Sequence, residues 1–305
     1  MDKVDLVLSP YGSSIGFPVS GACQKYKMPI VFVWVSSGPI YRQGYDYAFC
    51  LIETSERHLW TPVKALKDAR LVSDPPKKLI FIATKELYNI TAAKGGIDLA
   101  KELGFETYYE EAEKGVKDFT PIITRAKTLG IDGLIVALYP GDFFLFFKQV
   151  QELGYRPRYI NGLHGPDLPD FWETFRKTAN GVVTGGYYAA RWPTFENKEY
   201  VERYQKKWGE IPTHYGATGA GGQIIHQAIE KAGTIEREKV REVLLKEEFK
   251  CLLYPKVKFV SEAGYTNINK FAFTGVLQWQ DGKLLTVFPP ELAETKLRYP
   301  LSPEW

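Results

Sequence analysis

Cysteine is scarce in this sequence. The 305-residue chain contains three cysteines, which lie far apart at Cys23, Cys50 and Cys251. Zinc sites and small disulfide frameworks need cysteines at close, regular spacing. The sequence therefore predicts neither, and we expect all three cysteines to be buried thiols.

Several motifs of enzymes and cofactor sites are missing. The sequence has no phosphate-binding loop ending in Gly-Lys-Ser/Thr, no Gly-x-Gly-x-x-Gly after a strand and no His-Glu-x-x-His. Only one of the four histidines, His164, follows a predicted strand, and we expect it near a ligand. His58, His214 and His226 fall on predicted helices or their starts, where packing or surface roles are expected. A binding protein without a cofactor is favoured, and the alternative is an enzyme on a flavodoxin-like sheet that uses Tyr, Ser and His164.

Strong charge imbalance and long apolar runs are also lacking. The net charge is +3, and basic residues are interspersed with acidic ones, so we expect no nucleic-acid binding. No run of about 18 apolar residues is present that could span a bilayer. Residues 1–3 lead directly into a strand pattern, which predicts no signal peptide in this chain.

The first 37 residues, in contrast, have the pattern of a strand, a helix and a second strand. Residues 4–8 and 30–34 are apolar runs, and a stretch with helical spacing lies between them. The hydroxyl-bearing pairs Ser13-Ser14 and Ser36-Ser37 follow the first and second run. Ligands of parallel sheets bind beyond the carboxyl ends of the strands. We therefore expect the two pairs to form a seat for an anionic or amide-like group.

Strands and helices continue to alternate after residue 77, which predicts an α/β protein with parallel sheets flanked by helices. Tyr88 is expected in a polar loop, before a helix over residues 91–103. Asp142 is expected to cap a helix that starts at residue 143. Near the end, residues 271–273 read as a strand, and Asp281-Gly282 predicts a two-residue hairpin turn.

Six short segments, in their order and spacing, resemble one family over essentially the whole chain. The segments are residues 2–5 (Asp-Lys-Val-Asp), 9–14 (Ser-Pro-Tyr-Gly-Ser-Ser), 28–31 (Met-Pro-Ile-Val), 117–119 (Lys-Asp-Phe), 228–233 (Ala-Ile-Glu-Lys-Ala-Gly) and 276–283 (Val-Leu-Gln-Trp-Gln-Asp-Gly-Lys). They are similar to segments of the type I periplasmic binding proteins, in the leucine/isoleucine/valine-binding branch.

The resemblance implies a two-lobed fold with three hinge crossovers between the lobes. One lobe would hold residues 1–52 and 188–269, and the other residues 53–187 and 270–305. It further implies that a branched-chain amino acid, or a related small carboxylate or amide, binds in the interlobe cleft. The expected partner is the permease of an ATP-binding cassette (ABC) transporter, and the expected location is periplasmic or extracellular. The alternative within the same fold is a cytosolic regulator that senses amides or amino acids.

The resemblance also implies which residues contact the ligand. A serine of the first loop, Ser14 or Ser13, would hold the carboxylate together with the second loop, at Val35, Ser36 and Ser37. The other lobe would contribute Tyr88 and Tyr139, and we add His164 from its position after a strand. Further aromatic residues near the expected rims are Phe17, Trp34, Phe143, Tyr188 and Trp192.

Two departures from the family pattern affect these expectations. The acidic residue that pairs with the ammonium of an amino-acid ligand would fall near Leu163, and the nearest carboxylates are Asp142 and Asp167. A buried ammonium without a partner is costly, so a carboxylate or amide with an apolar or aromatic body is an equal alternative.

The second departure concerns the first lobe. Family members carry two further strand-helix units before the point that corresponds to Met1, so the lobe is N-terminally truncated relative to them. We therefore expect an exposed sheet edge along residues 4–8, and a homodimer or another chain pairing with that edge.

Overall fold

Strands and helices alternate along most of the chain, as the hydrophobic pattern predicts. The computed structural model describes residues 4–301. The strands are β1 (Val7–Leu8), β2 (Ile30–Phe32), β3 (Ala48–Cys50), β4 (Lys78–Thr84), β5 (Glu106–Ala112), β6 (Gly133–Ala137), β7 (Tyr159–Gly162), β8 (Val183–Gly186), β9 (Phe259–Glu262), β10 (Tyr265–Asn269), β11 (Gly275–Gln280) and β12 (Lys283–Phe288). The helices are α1 (Ser13–Lys25), α2 (Gly38–Tyr41), α3 (Trp60–Ala65), α4 (Leu87–Glu102), α5 (Thr120–Thr128), α6 (Pro140–Glu152), α7 (Pro169–Phe175), α8 (Asn197–Trp208), α9 (Gly219–Ala232) and α10 (Arg237–Lys246).

The chain is divided into two units, each built from two separate stretches of sequence. The first comprises Met1–Ser55 and Tyr187–Phe273, and the second comprises Glu56–Gly186 and Thr274–Trp305. The chain thus passes from one unit to the other three times. Each unit contains its own sheet, with helices that connect its strands.

The first unit has a five-stranded sheet in the order β1-β2-β3-β10-β9. Strands β1, β2, β3 and β10 are parallel neighbours, and β9 is antiparallel to β10. Strand β1 lies at the edge and is shorter than expected, because only Val7 and Leu8 pair with β2. Among residues 4–301 no further strand pairs with β1, and Val4 and Leu8 are 46% and 59% exposed, although the backbone carbonyls of Val4 and Asp5 accept hydrogen bonds from Arg237.

The second unit has a seven-stranded sheet in the order β12-β11-β8-β7-β6-β4-β5. Alternate residues of its strands pack against the aliphatic inner face of α5 and the phenylalanine-rich inner faces of α6 and α7 in one large apolar core. The two strands at one edge form the predicted hairpin. Asp281 and Gly282 both have positive φ angles, 50° and 82°, as a two-residue hairpin turn of type I′ requires.

Three local predictions were wrong. Helix α4 begins at Leu87, so Tyr88 lies in its first turn and not in a loop. Helix α6 begins at Pro140, so Asp142 is inside the first turn and does not cap it. Residues 271–273 form no strand, and the nearby strand of the first sheet is β10.

Residues 4–301 contain neither a membrane-spanning helix nor a cluster of metal-binding side chains. No helix there is long and apolar enough to cross a membrane. No group of three or more His, Cys, Asp or Glu side chains in that part of the chain is arranged to hold a metal ion.

The three cysteines are buried, as predicted. Burial raises the pKa of both Cys23 and Cys251 to about 11. A raised pKa keeps the thiol protonated at pH 8, and the thiolate is the reactive form.

We expect native protein to give no rapid reaction with a disulfide thiol reagent at pH 8, and protein unfolded in guanidinium to react at all three thiols. Rapid labelling of any thiol in the native protein would contradict the burial.

Candidate functional site

In the first unit, the ends of β1 and β2 bring three of the predicted serines together. Ser13 is the first residue of α1, and its Oγ accepts hydrogen bonds from the backbone N–H groups of Ser36 and Ser37, each 3.2 Å long. All three residues are fully buried. One hydroxyl therefore bridges two adjacent backbone donors that follow the second strand.

Two glycines make this arrangement possible. Gly12, just before α1, has a φ of 91°, a conformation that residues with a side chain rarely adopt. Gly16, one turn into the helix, faces Val35, and a Cβ added at Gly16 would overlap the valine side chain. The helix can therefore lie directly against the segment after β2, which places Ser13 beside Ser36 and Ser37.

The chemistry of this cluster suits an anion. The first backbone N–H groups of a helix have no partner within the helix and carry partial positive charge. The buried Oγ of Ser36 has no hydrogen-bond partner among residues 4–301. A fully buried hydroxyl without a partner is costly, so Ser36 is suited to a ligand group. Backbone amides and hydroxyls can together hold a carboxylate without a cation.

Residues 12–16, Gly-Ser-Ser-Ile-Gly, also match the Gly-x-Ser-x-Gly pattern of serine hydrolases. In that pattern the middle serine is a nucleophile and needs a histidine within hydrogen-bonding reach. Ser14 lies instead on the exposed side of the first turn of α1, and no described histidine contacts its hydroxyl. Of the two glycines of the motif, Gly16 allows the close packing of α1 against Val35, and Gly12 allows the turn before the helix.

A cluster of rings surrounds Trp34 in the same unit. The backbone of Trp34 forms a β-bridge with Tyr11, and its indole N–H donates to Thr218 Oγ1 at 2.7 Å. His214 meets the indole edge-on, with ring centres 5.4 Å apart. Tyr187 also lies edge-on to Trp34, at 6.3 Å. Trp34 is therefore fixed in orientation next to the strand end that carries the serines.

In the second unit, a second cluster joins the predicted residues Tyr88, Tyr139 and His164. The rings of Tyr139 and His164 are stacked, with centres 5.8 Å apart and planes 6° from parallel. Tyr88 lies 5.2 Å from His164 and 6.4 Å from Tyr139. A fourth ring, His58, places its Nδ1 2.8 Å from the Tyr88 hydroxyl. We name these four residues the tyrosine–histidine cluster.

The acidic residues near this cluster differ in how they are used. Asp167 accepts a hydrogen bond from the backbone N–H of Gly165 at 2.9 Å, within its own loop. Asp142, on α6, lies 3.5 Å from the backbone N–H of Gly115. Leu163 is fully buried. The tyrosine–histidine cluster itself contains no acidic residue. It can therefore offer a ligand hydrogen bonds and ring contacts, but no negative charge.

The remaining predicted residues have other surroundings. The side chain of Val35 is packed in the apolar core of the first unit, so only its backbone is available to a ligand. Phe143 is likewise a core residue of the second unit. The hydroxyl of Tyr188 donates to Asn197 at 2.8 Å, and Trp192 packs on Phe273. Phe17 is 39% exposed on the outer face of α1.

Sequence reasoning missed two residues of these clusters, His58 and His214. Both were expected in packing or surface roles on helices. His58 is fully buried and His214 is 4% exposed. Their ring partners, Tyr88 and Trp34, are distant in sequence, so no local pattern indicates the contacts.

A family model described as periplasmic binding protein matches residues 1–282 of the chain. Among curated proteins, the chain is similar to Leu/Ile/Val-binding protein homolog 7 of Brucella abortus (strain 2308), with 28% identity over 240 residues. That match covers 73% of this chain and 58% of the relative. The chain thus spans less than two thirds of the length of that relative.

Two solved structures show the same fold. A leucine-binding protein from Thermotoga maritima MSB8 superposes with a TM-score of 0.78 and 20% identity, over 93% of this chain and 79% of that one. A solute-binding protein of an ABC transporter from Rhodopseudomonas palustris BisB5, in complex with 3,4-dihydroxybenzoic acid, has a TM-score of 0.76 and 20% identity. The second match covers 93% of this chain and 77% of the other.

The close approach of α1 to Val35 can be tested with one substitution. We expect Gly16→Ala to lower the free energy of unfolding by about 1–3 kcal/mol, because the added methyl overpacks a filled site. Gly222→Ala is the matched control, since Gly222 lies inside α9 with open space around its Cα. The control should raise stability by about 0.5–1 kcal/mol. Urea unfolding measures both, and an unchanged midpoint for Gly16→Ala would show that α1 is not held tightly.

Proposed function

Because the chain belongs to the periplasmic binding protein family, we propose that it is the substrate-binding component of an ABC transporter and binds a small carboxylate. The names of its curated relatives and structural neighbours support this class of function. We further propose that it works outside the cytoplasm and delivers its ligand to a membrane permease. We propose no catalytic role, because the tyrosine–histidine cluster and the serine cluster are suited to binding.

One observation carries the proposal, namely the bridge from Ser13 Oγ to the backbone N–H groups of Ser36 and Ser37. The hydroxyl of Ser13 uses its oxygen to accept from these donors, so its own hydrogen can point to a ligand oxygen. The Ser36 hydroxyl adds a second donor. Hydrogen bonds from neutral donors to a carboxylate are among the stronger ones in proteins.

The rings favour a carboxylate with an apolar or aromatic body. The Trp34 ring cluster and the tyrosine–histidine cluster offer ring faces and hydroxyls. Leu163 occupies the position where an acidic partner for an ammonium is expected. A ligand without an ammonium avoids the cost of burying an unpaired charge.

A branched-chain amino acid is the second candidate ligand, because the curated relative is named a Leu/Ile/Val-binding protein homolog. In that case Asp142 would have to pair with the ammonium. The fold itself accommodates either class, since one structural neighbour is a leucine-binding protein and another holds 3,4-dihydroxybenzoic acid.

A ligand screen by thermal shift and calorimetry tests the proposal. The panel contains 4-hydroxybenzoate, benzoate, isobutyramide, leucine, isoleucine, valine and phenylalanine. A ligand at 100 times its Kd should stabilise the protein by about 2.7 kcal/mol. We expect 4-hydroxybenzoate to bind at least about tenfold more tightly than leucine, and Ser13→Ala to weaken its binding by about 10- to 100-fold.

The control variant for this screen is Ser20→Ala. Ser20 is also a buried serine of α1, but its hydroxyl donates to the carbonyl of Phe17 at 2.7 Å. Its loss should leave the affinity unchanged. Tighter binding of leucine would favour the second candidate. No binding by any panel member, or equal effects of the two serine variants, would refute the proposed anion site.

The open edge at β1 leads to a separate prediction about assembly. Exposed strand edges tend to pair with other chains, and Val4 and Leu8 add exposed apolar surface there. We expect the purified protein to form a homodimer, measured by light scattering after size-exclusion chromatography. Val7→Pro should disrupt it, since proline cannot donate to a strand. A monomer at all concentrations would refute the prediction.

A further inference from the structure

His58 is a buried imidazole that contacts a proposed ligand-binding tyrosine. It lies between a short 3-10 helix (Ser55–Arg57) and α3, and it is fully buried. Its Nδ1 is 2.8 Å from the Tyr88 hydroxyl, and the two ring centres are 5.5 Å apart. The distance of 2.8 Å is that of a hydrogen bond. The tautomer of the imidazole determines whether His58 or Tyr88 is the donor.

The hydrogen bond to His58 is one of the contacts that orient Tyr88. It lies in the first turn of α4, where its ring is 5% exposed and faces Tyr139 and His164. Ring contacts alone leave a phenol free to change the direction of its hydroxyl hydrogen. A hydrogen bond to a fixed imidazole removes that freedom.

We propose that His58 is a positioning residue for the ligand, which it influences through Tyr88 without touching the ligand. This inference rests on the proposed function, because it takes Tyr88 as a ligand contact. The Tyr88 hydroxyl has one hydrogen. If it donates to His58, only its oxygen can take part in a further hydrogen bond, as an acceptor, and if His58 donates, the Tyr88 hydroxyl can act as a donor in a further hydrogen bond. His58 thereby determines whether Tyr88 acts as an acceptor or a donor towards the ligand.

A purely structural histidine in this place would have a different signature. Leu59, which follows His58, is fully buried. If His58 only filled space, an apolar side chain of similar size could fill the space of the imidazole. Replacement by leucine would then change stability and leave ligand affinity unchanged. The positioning role predicts instead that the hydrogen bond to Tyr88 matters for binding, and that an amide in place of the imidazole partly restores it.

The test compares His58→Leu and His58→Asn, each with and without Tyr88→Phe, by calorimetry with 4-hydroxybenzoate and with leucine. We expect His58→Leu to weaken binding of the tighter probe by about tenfold, and His58→Asn to recover most of the loss. In the Tyr88→Phe background, His58→Leu should change the Kd less than about twofold, because coupled residues are non-additive. The control is His226→Leu, at an exposed histidine of α9 that lies 3.7 Å from Glu230.

A second measurement needs no ligand. In protein labelled with 3-fluorotyrosine, the signal of Tyr88 is assigned from its loss in Tyr88→Phe. His58→Leu should shift or broaden that signal, whereas His226→Leu should not. If the Tyr88 signal shifts but neither 4-hydroxybenzoate nor leucine binds, the contact between His58 and Tyr88 is supported and the proposed function is refuted. An unshifted signal, or additive losses of affinity in the two variants, would refute the positioning role.

Discussion

The close approach of α1 to the segment after β2 is the constraint on which the first unit's candidate site depends. Gly16 removes the side chain that would otherwise separate the helix from Val35. Gly12, with its positive φ, turns the chain from β1 into the helix. Only this combination brings Ser13 within hydrogen-bonding distance of the amides of Ser36 and Ser37. Helix α1 therefore determines both the packing against Val35 and the position of the candidate site's serine hydroxyl.

Much of the fold follows from local sequence, because strands and helices differ in the spacing of their apolar residues, and this spacing is visible in the sequence. The hairpin turn at Asp281-Gly282 lies where the sequence predicts it. The first residues of the helices were predicted less well. Helix α4 follows Glu86 and α6 follows Tyr139, and neither has a side-chain cap. Without a serine, threonine or aspartate at the cap, α4 has no capping signal, and the start of α6 is indicated only by the proline at its first position.

The candidate site divides in the same way. The serines at the strand ends were found because parallel strands place their carboxyl ends at one edge, a rule that needs no tertiary information. The histidines were missed because their contacts are long-range. His58 meets Tyr88 across 30 residues, and His214 meets Tyr11 across 203 residues. Helical position alone says nothing about which ring a histidine will face.

The two clusters differ in chemistry, and the difference bears on what kind of ligand the protein can hold. The serine cluster provides N–H and O–H donors at a helix start, and such donors stabilise negative charge. The tyrosine–histidine cluster provides hydroxyl and imidazole groups that are held by one another. Neutral imidazoles and phenols can accept a hydrogen bond, but they stabilise a buried ammonium far less than a carboxylate does. Leu163 is fully buried at the position where the family resemblance implies an acid, so under the proposed function selectivity would come from the direction of a few hydrogen bonds, among them the one between His58 and Tyr88.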